Sequence, residues 1–460
     1  MLNRYGISIV FPRMKYTSGD PPLGVMYIAT YLKRNLNAEV QIIDTTFHKS
    51  YDYVFQRIVN FPTDIVGIFI DTIMYNDAIK IAKMAKSLGK YVIAGGPHTT
   101  ILPETVIPYV DALVIGEGER ASLEIIKNLP DLKPVKGAWV KNGAAIFKSN
   151  ELNLSQNLDA IPFPDHSFIE NKRYMQYWHF MDVIEGYKKG TNIIASRGCP
   201  FHCTYCQPTL RRLFGTKLRY RSPKNVVDEI LSLKETLGIQ AFMFQDDTLT
   251  IDKKWVIEFT DLLKKADTGL IWGCNTRADT IDKELLVRMH DAGLRKIQIG
   301  GESGTIRILR DVYKKGIIPE QVKQVVSMAH SVGVKTLVFF MLGAPGETRQ
   351  EVISTIKFAK EIKPDEITFN LTQPLPGTDL YQTMITNDGY NLEKDFTKFD
   401  YYNRRAFNDV TLSNTQLRLI RILGFFYVYV RLSTFVYIMR HFRSVSGIKK
   451  LFVKLKRIFS

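Results

Sequence analysis

Short apolar segments alternate with amphipathic ones along most of this 460-residue chain, in two series divided by the proline-rich stretch "NLDAIPFPDHSF" (157–168). In the first series "ISIVFP", "AEVQIIDTT", "DIVGIFIDT", "YVIAGGPH" and "DALVIGEGE" read as strands, while "LGVMYIATYLKRN" and "DAIKIAKMAKSLG" read as helices. Strands that are apolar almost throughout are buried on both faces, and the intervening helices supply the cover. The predicted fold class is α/β: a doubly wound, Rossmann-like parallel sheet of about five strands over residues 1–150. "VKGAWVKNGAAIFKS" predicts a hairpin turning at Asn142-Gly143. Ligands of such sheets bind beyond the carboxyl ends of the strands. The residues found there are Asp44-Thr45-Thr46, Asp71 and Thr72, Gly95 and Gly96 with Pro97 and His98, and Gly116, Glu117 and Gly118. They are small, polar and turn-forming, suited to bringing backbone close to a ligand.

A linker over 151–185 leads to the second series. Strands are predicted at 192–196, 241–245, 270–275, 296–300, 335–342 and 366–370, with helices at 223–237, 253–265, 283–292, 320–332 and 349–362. Six such units without a seventh or eighth make a partial (βα)6 barrel, open on one side, over 186–400. A helical region over 401–460 follows. Function in a barrel of this kind belongs at the carboxyl ends of the strands.

The first of those ends carries "SRGCPFHCTYC". The chain has four cysteines, and Cys199, Cys203 and Cys206 fall within these few residues. So few cysteines make no disulfide framework; they fit a reducing compartment and a metal site. A structural zinc site wants four closed ligands, and His202 lies too near its neighbours to close a tetrahedron easily. A ferredoxin-like cluster needs a fourth thiolate. Cys274 is the one candidate, and in "LIWGCN" it reads as a buried, inert thiol. Three thiolates on a cubane leave one iron open to a substrate or co-substrate, so the spacing favours a catalytic cluster.

C-x3-C-x2-C after the first strand of a partial barrel resembles the radical S-adenosylmethionine superfamily, and Tyr205 matches the aromatic position of that motif, which in the family lies against the adenine. The resemblance implies that Cys199, Cys203 and Cys206 hold a 4Fe–4S cluster whose fourth iron chelates S-adenosylmethionine. One-electron reduction, from a donor such as flavodoxin or ferredoxin, then yields a 5′-deoxyadenosyl radical that abstracts an unactivated hydrogen. The protein supplies geometry and exclusion of water. Later strand ends match the same family. Asp246 and Asp247 in "FMFQDDTLT" would accept from the ammonium of S-adenosylmethionine, and Glu302 and Ser303 in "IQIGGESGT" would bind its ribose or carboxylate. Gly343 and Gly346 in "FFMLGAPGET" would let the adenine approach, and "FNLTQPLPGT" ends the sixth strand. Each alone is equally what a turn or helix cap requires.

The pairing of this barrel with a doubly wound N-terminal domain resembles the cobalamin-binding members of the superfamily, over nearly the whole chain. "PPLGVMYIATYLK", "GGPHTTILPE" and "VIGEGE" carry that likeness. It implies cobalamin against the carboxyl ends of the first sheet and transfer of a methyl group to carbon. Radical cyclisation, oxidation or ring rearrangement is the alternative. No D-x-H-x-x-G is present: Asp44 and His48 are four apart with no glycine in place, so histidine ligation of cobalt is not expected. His98 reads as a loop histidine bonded within its own turn. A tRNA methylthiotransferase would carry three further cysteines before Cys199, and there are none. A corrin-binding sensor with a degenerate barrel is disfavoured by the intact strand-end motifs.

The formal net charge is +16, yet ten Lys or Arg and no Asp or Glu lie between Thr411 and Ser460. The basic balance therefore describes the tail, and no nucleic-acid partner is expected. "ILGFFYVYVRLSTFVYIM" (422–439) is short for a spanning helix and carries a central arginine. It reads either as a helix closing the barrel or, with the basic run after it, as a peripheral membrane contact. The latter suits a small, lipid-like substrate. The first residues have a short apolar run and no cleavage site, so a cytoplasmic protein is expected.

Overall fold

The computed structural model describes residues 5–184, 188–206, 209–387, 391–392, 395–399, 404–409 and 411–429. Strands β1 (Tyr5–Phe11), β2 (Ala38–Asp44), β3 (Ile65–Phe69), β4 (Tyr91–Gly95) and β5 (Ala112–Val114) pair in parallel in the order β2-β1-β3-β4-β5. Helices α1 (Leu23–Asn35), α2 (Tyr51–Val59), α3 (Tyr75–Ser87), α4 (Pro97–Ile101), α5 (Pro103–Val106) and α6 (Gly118–Lys127) accompany them. Val10, Val66, Ile68 and Val92 enter one core with Ile58, Ala78 and Ile81 of α2 and α3. Ile7, Ile9, Ile65 and Ile93 enter the opposite core with α1 and α6. This double burial is why the strands are apolar throughout. The expected hairpin, β6 (Ala138–Asn142) and β7 (Ala145–Lys148), adds antiparallel to β5, so the sheet has seven strands where about five were expected. Strand order reverses between β1 and β3, and the ligand crevice of such a sheet opens there.

Helix α7 (Asn171–Tyr177) precedes β8 (Gly190–Ile193), which leads into an antiparallel ribbon of β9 (Ser196–Arg197) and β10 (Arg219–Tyr220). Strands β11 (Ala241–Phe244), β12 (Ile271–Thr276), β13 (Leu294–Glu302), β14 (Lys335–Leu342) and β15 (Glu366–Leu371) continue from β8 as a six-stranded parallel sheet in chain order. Helices α8 (Thr209–Phe214), α9 (Pro223–Leu237), α10 (Lys253–Lys265), α11 (Lys283–Asp291), α12 (Pro319–Val332) and α13 (Arg349–Glu361) alternate with them. The expected first barrel strand, 192–196, in fact ends at Ile193. Ala195 N and Ser196 Oγ donate to Asp246, which draws the chain off the sheet into the ribbon. The barrel floor is plugged by the segment after α7. Trp178 lies so close to Gly190 that a Cβ there would sit 2.2 Å from its ring, and its Nε1 donates to Asn192. Buried Lys296 donates to Phe180 O and pairs with Glu366.

Beyond β15 come α14 (Asp379–Ile385), β16 (Asn391–Leu392), β17 (Phe407–Asn408) and α15 (Asn414–Tyr429). An edge strand presents unpaired backbone groups, and α15 satisfies several of those on β15. Ile367 N donates to Tyr429 Oη at 2.9 Å, and Arg421 Nε donates to Phe369 O at 2.8 Å. Leu417, Phe425 and Val428 enter the barrel core, whereas Leu419, Leu423 and Phe426 remain exposed. The first part of the tail thus closes the barrel. Residues 430–460, with most of the basic run, lie outside the described residues. Among those described, no helix is long and apolar enough to cross a membrane.

Candidate active site

The cysteine loop starts at Gly198, whose φ of +98° and approach to Lys217 O exclude a side chain. It is sewn to the barrel through Thr204, which donates from N to Tyr313 O and from Oγ1 to Val312 O and accepts from Leu380 N. Cys199 is buried, and Cys203 and Cys206 are half-buried. Burial raises the Cys199 and Cys206 thiols, and the Asp247 carboxylate and the neighbouring thiols raise both further. Each of the three thiols therefore lies within electrostatic reach of the other two. Among the described residues no three His, Cys, Asp or Glu side chains are closed into a metal-binding group, and the loop borders residues 207 and 208, outside the described set. The donor chemistry fits a 4Fe–4S cluster: three soft thiolates on one loop, with positive charge beside them. Arg277 Nη1 donates to Cys203 Sγ at 3.7 Å, and the Lys315 ammonium opposes the rise at Cys206. Cys274 is fully buried on the helix-facing side of β12. His202 Nε2 meets Arg211 at 2.7 Å.

The other candidates at the barrel mouth divide. The Tyr205 hydroxyl donates to Glu302 Oε1 at 3.0 Å, and Lys315 Nζ holds the same oxygen at 2.6 Å. The chain turns at Glu302, φ +56°, where the β13–β14 register shifts. Asp247 stands exposed beside the cysteines, whereas Asp246 is buried and spends both oxygens on Ala195 and Ser196. Ser303 is fully buried, bonded to Thr355 and capping Thr305 N. Gly343 does permit a close approach, but of protein: a Cβ would sit 2.3 Å from Leu417 and 2.9 Å from Arg405. Gly346, φ +67°, opens onto free space. Just after Gly346 the fully buried Glu347 accepts from Gly343 N and Ala344 N through Oε2, and its Oε1 has no partner. Burial raises its carboxyl to about 7.

At the first domain's strand ends, Asp71 is a turn cap accepting from Met74 N at 2.7 Å, and burial raises its carboxyl. His98 has Thr72 Oγ1 on Nδ1 and Thr105 Oγ1 on Nε2, each at 3.1 Å, and burial lowers it to about 4. Its side-chain partners thus lie 26 and seven positions away along the chain, and not within its own turn as the sequence had suggested. Asp44 and Thr46 receive the Tyr174 hydroxyl. Gly95 O accepts from Ile70 N, Gly96 O accepts from Thr99 and Thr100, and Gly116 N donates to Thr100 Oγ1. At Gly118 a Cβ would meet Ile28 at 2.6 Å. Glu117 does not face the crevice. It is 2% exposed in its side chain, paired with Arg219 at 2.5 Å and with Arg197 at 3.5 Å. Arg197 also pairs with Glu119 at 2.6 Å. Burial would raise the Glu119 carboxyl; Arg197, with Arg219 behind it, overcomes this and holds it low. These four charges join the first domain to the ribbon two residues before Cys199. At the β1/β3 switch Lys15, Thr72, Ile73, Asn76, Lys80 and Phe396 line a cleft of about 340 Å³.

Sequence reasoning passed over Arg277, Lys315, Arg197 and Arg219. Arg277 follows the end of β12 by one residue, a position that strand-end logic flags. The arginines of the joint carried no local signal.

Two outcomes are expected. Cys203→Ala should lose the broad visible absorbance of a thiolate-bound iron–sulfur centre after anaerobic reconstitution, while Cys274→Ala retains it. Glu347 is raised in the fold above its ordinary value, so its contribution is full below the unfolded pKa and is lost as pH climbs through about 7. Glu347→Gln should therefore flatten the fall in stability between the ordinary glutamate range and about pH 7, measured by urea unfolding of the cluster-free chain.

Comparison with known proteins identifies two regions. The model of the radical SAM superfamily matches residues 193–359, and that of the B12 binding domain matches residues 16–126. An uncharacterized methyltransferase of Pyrococcus horikoshii is 34% identical over 385 residues, 82% of this chain and 81% of that protein. The anaerobic magnesium-protoporphyrin IX monomethyl ester cyclase of Rubrivivax gelatinosus is 29% identical over 88% of this chain and 76% of its own length. In fold, the cobalamin-dependent S-adenosylmethionine radical enzyme OxsB, solved with aqua-cobalamin and S-adenosylmethionine, aligns with a TM-score of 0.73 at 17% identity. That alignment covers 97% of this chain and 72% of OxsB.

Proposed function

The chain belongs to the cobalamin-binding radical S-adenosylmethionine enzymes, and from that premise we propose that it methylates an unactivated carbon of a small amphipathic molecule. Bound at these sites, the 4Fe–4S cluster supplies the electron that cleaves S-adenosylmethionine, and cobalamin supplies the methyl group. The observation that carries the proposal is the buried joint. Arg197 and Arg219 of the ribbon beside the cysteine loop pair with Glu117 and Glu119 at the start of α6, which ties the strand ends of the first sheet to the cysteine loop. Asp247, Tyr205, Glu302 and Gly346 are the residues assigned to S-adenosylmethionine. Thr72 and Asn76, at the β1/β3 switch, are assigned to cobalamin.

The lumen supports the substrate class. On β11, Phe242 and Phe244 enter the helix-side core while Ala241 and Met243 face inward against Trp178 and Met181. Alternation then turns Gln245 inward, and its buried Nε2 has no partner. Asn275 and Gln298 are register neighbours on β12 and β13 and follow the same alternation. On β14 the inward residues are Leu337, Phe339 and Met341, half-buried beside outward Val338, Phe340 and Leu342. One wall offers amides and another apolar surface. A molecule with an apolar body and a hydrogen-bonding group satisfies both, since a buried amide left unpaired costs about 1–3 kcal/mol. The lipid-like substrate read from the tail is narrowed accordingly. A peripheral membrane contact through residues 430–460 is no support for it here, because those residues lie outside the described set.

The test is anaerobic turnover of the reconstituted enzyme with fractionated cell extract, followed by mass analysis. Methyl transfer yields 5′-deoxyadenosine and S-adenosylhomocysteine together, with a product heavier by one methylene. The first without the second favours cyclisation or oxidation, the reading that the cyclase relative supports. A chain that binds no cobalamin overturns both.

A further inference from the structure

Arg277 lies one residue beyond β12 and is 6% exposed. Its Nε and Nη2 donate to the two carboxylate oxygens of Asp279 at 2.9 and 2.8 Å, and Nη2 also reaches Lys315 O at 2.8 Å. The guanidinium carbon sits 3.6 Å from the centroid of the Phe201 ring, within the cysteine loop. A planar fork fixed at one edge and on one face has a single direction left for its remaining nitrogen. Nη1 points at Cys203 Sγ, 3.7 Å away. Among the described residues no other side chain donates a hydrogen bond to a cysteine sulfur. The same Lys315 that takes Arg277 on its carbonyl presents its ammonium to Tyr205 and Glu302. Its charge also reaches Cys206. The two cations therefore flank the loop, one just beyond β12 and the other between β13 and α12.

We propose that Arg277 is a positioning residue for the iron–sulfur cluster, holding the Cys203 ligand and raising the cluster's reduction potential through its N–H···S bond. The proposal rests on the assignment of Cys199, Cys203 and Cys206 as ligands. A reduced cluster carries one more negative charge than the oxidised one. A permanently charged donor on a ligand sulfur stabilises that form, and such bonds are among the determinants of iron–sulfur potentials. An arginine serves better than a lysine because its fork can be fixed by Asp279 and Lys315 and still aim a third nitrogen.

The experiment uses the full chain, reconstituted with iron and sulfide, with the midpoint potential read by dye-mediated titration and electron paramagnetic resonance. Arg277→Gln should retain its iron content but reduce at a more negative potential than the unaltered chain. Arg277→Lys, which keeps charge without the fork, should fall between. Phe201→Leu, which removes one wall, should shift the same way by less. An Arg277→Gln protein with full iron and an unchanged potential overturns the proposal. If that variant takes up no iron, Phe201→Leu decides, and an unchanged potential there overturns it equally. An unaltered chain that binds no iron refutes the ligand assignment instead, a separate result.

Discussion

The buried ion cluster of Glu117, Glu119, Arg197 and Arg219 is where the two halves of this protein become one. Each charge is largely removed from water, and removing one partner from such a set costs about 3–5 kcal/mol because it strands the other. Its position gives it consequence beyond stability. Arg197 closes the two-residue strand that leads into Gly198 and Cys199, while Glu117 and Glu119 open α6 just after β5. Asp20, which accepts from Asn192, and Tyr174, which reaches Asp44 and Thr46, add further ties across the same boundary.

The strand ends of the barrel show two uses of one position. Residues pointing outward from the sheet, such as Asp246, bind neighbouring backbone and shape the rim. Those pointing inward, such as Asp247 and Gln245, are left open or unpaired. Period-two alternation makes that division, and it explains how adjacent aspartates come to do different work. Glycines at strand ends divide likewise. Gly343 gives way to Leu417 and Arg405, which belong to the segment that closes the barrel, whereas Gly346 meets nothing within 4 Å.

Much of the fold was legible because parallel strands buried on both faces leave long apolar runs. The strands from β11 to β15 fall within one or two residues of where periodicity put them. β8 does not, because Asp246 pulls Ala195 and Ser196 away from the sheet by contacts that span fifty residues. Of the tail, α15 takes the reading that satisfies an open sheet edge, a need visible only once β15 is known to be that edge; the basic run on which the membrane reading rests lies outside the described residues.

The sequence by itself determined the α/β class, the two series, the three clustered cysteines and a fourth set apart in an apolar strand, since each depends on local spacing and composition. Tertiary structure alone decided that Glu117 pairs with arginines across the domain boundary, that Asp246 and Ser303 are consumed within the framework, and that Arg277 reaches a cysteine sulfur. Those outcomes depend on which groups meet across long stretches of chain. Buried charges and polar atoms take whatever partner the packing brings within reach, and spacing along the chain carries no record of that choice.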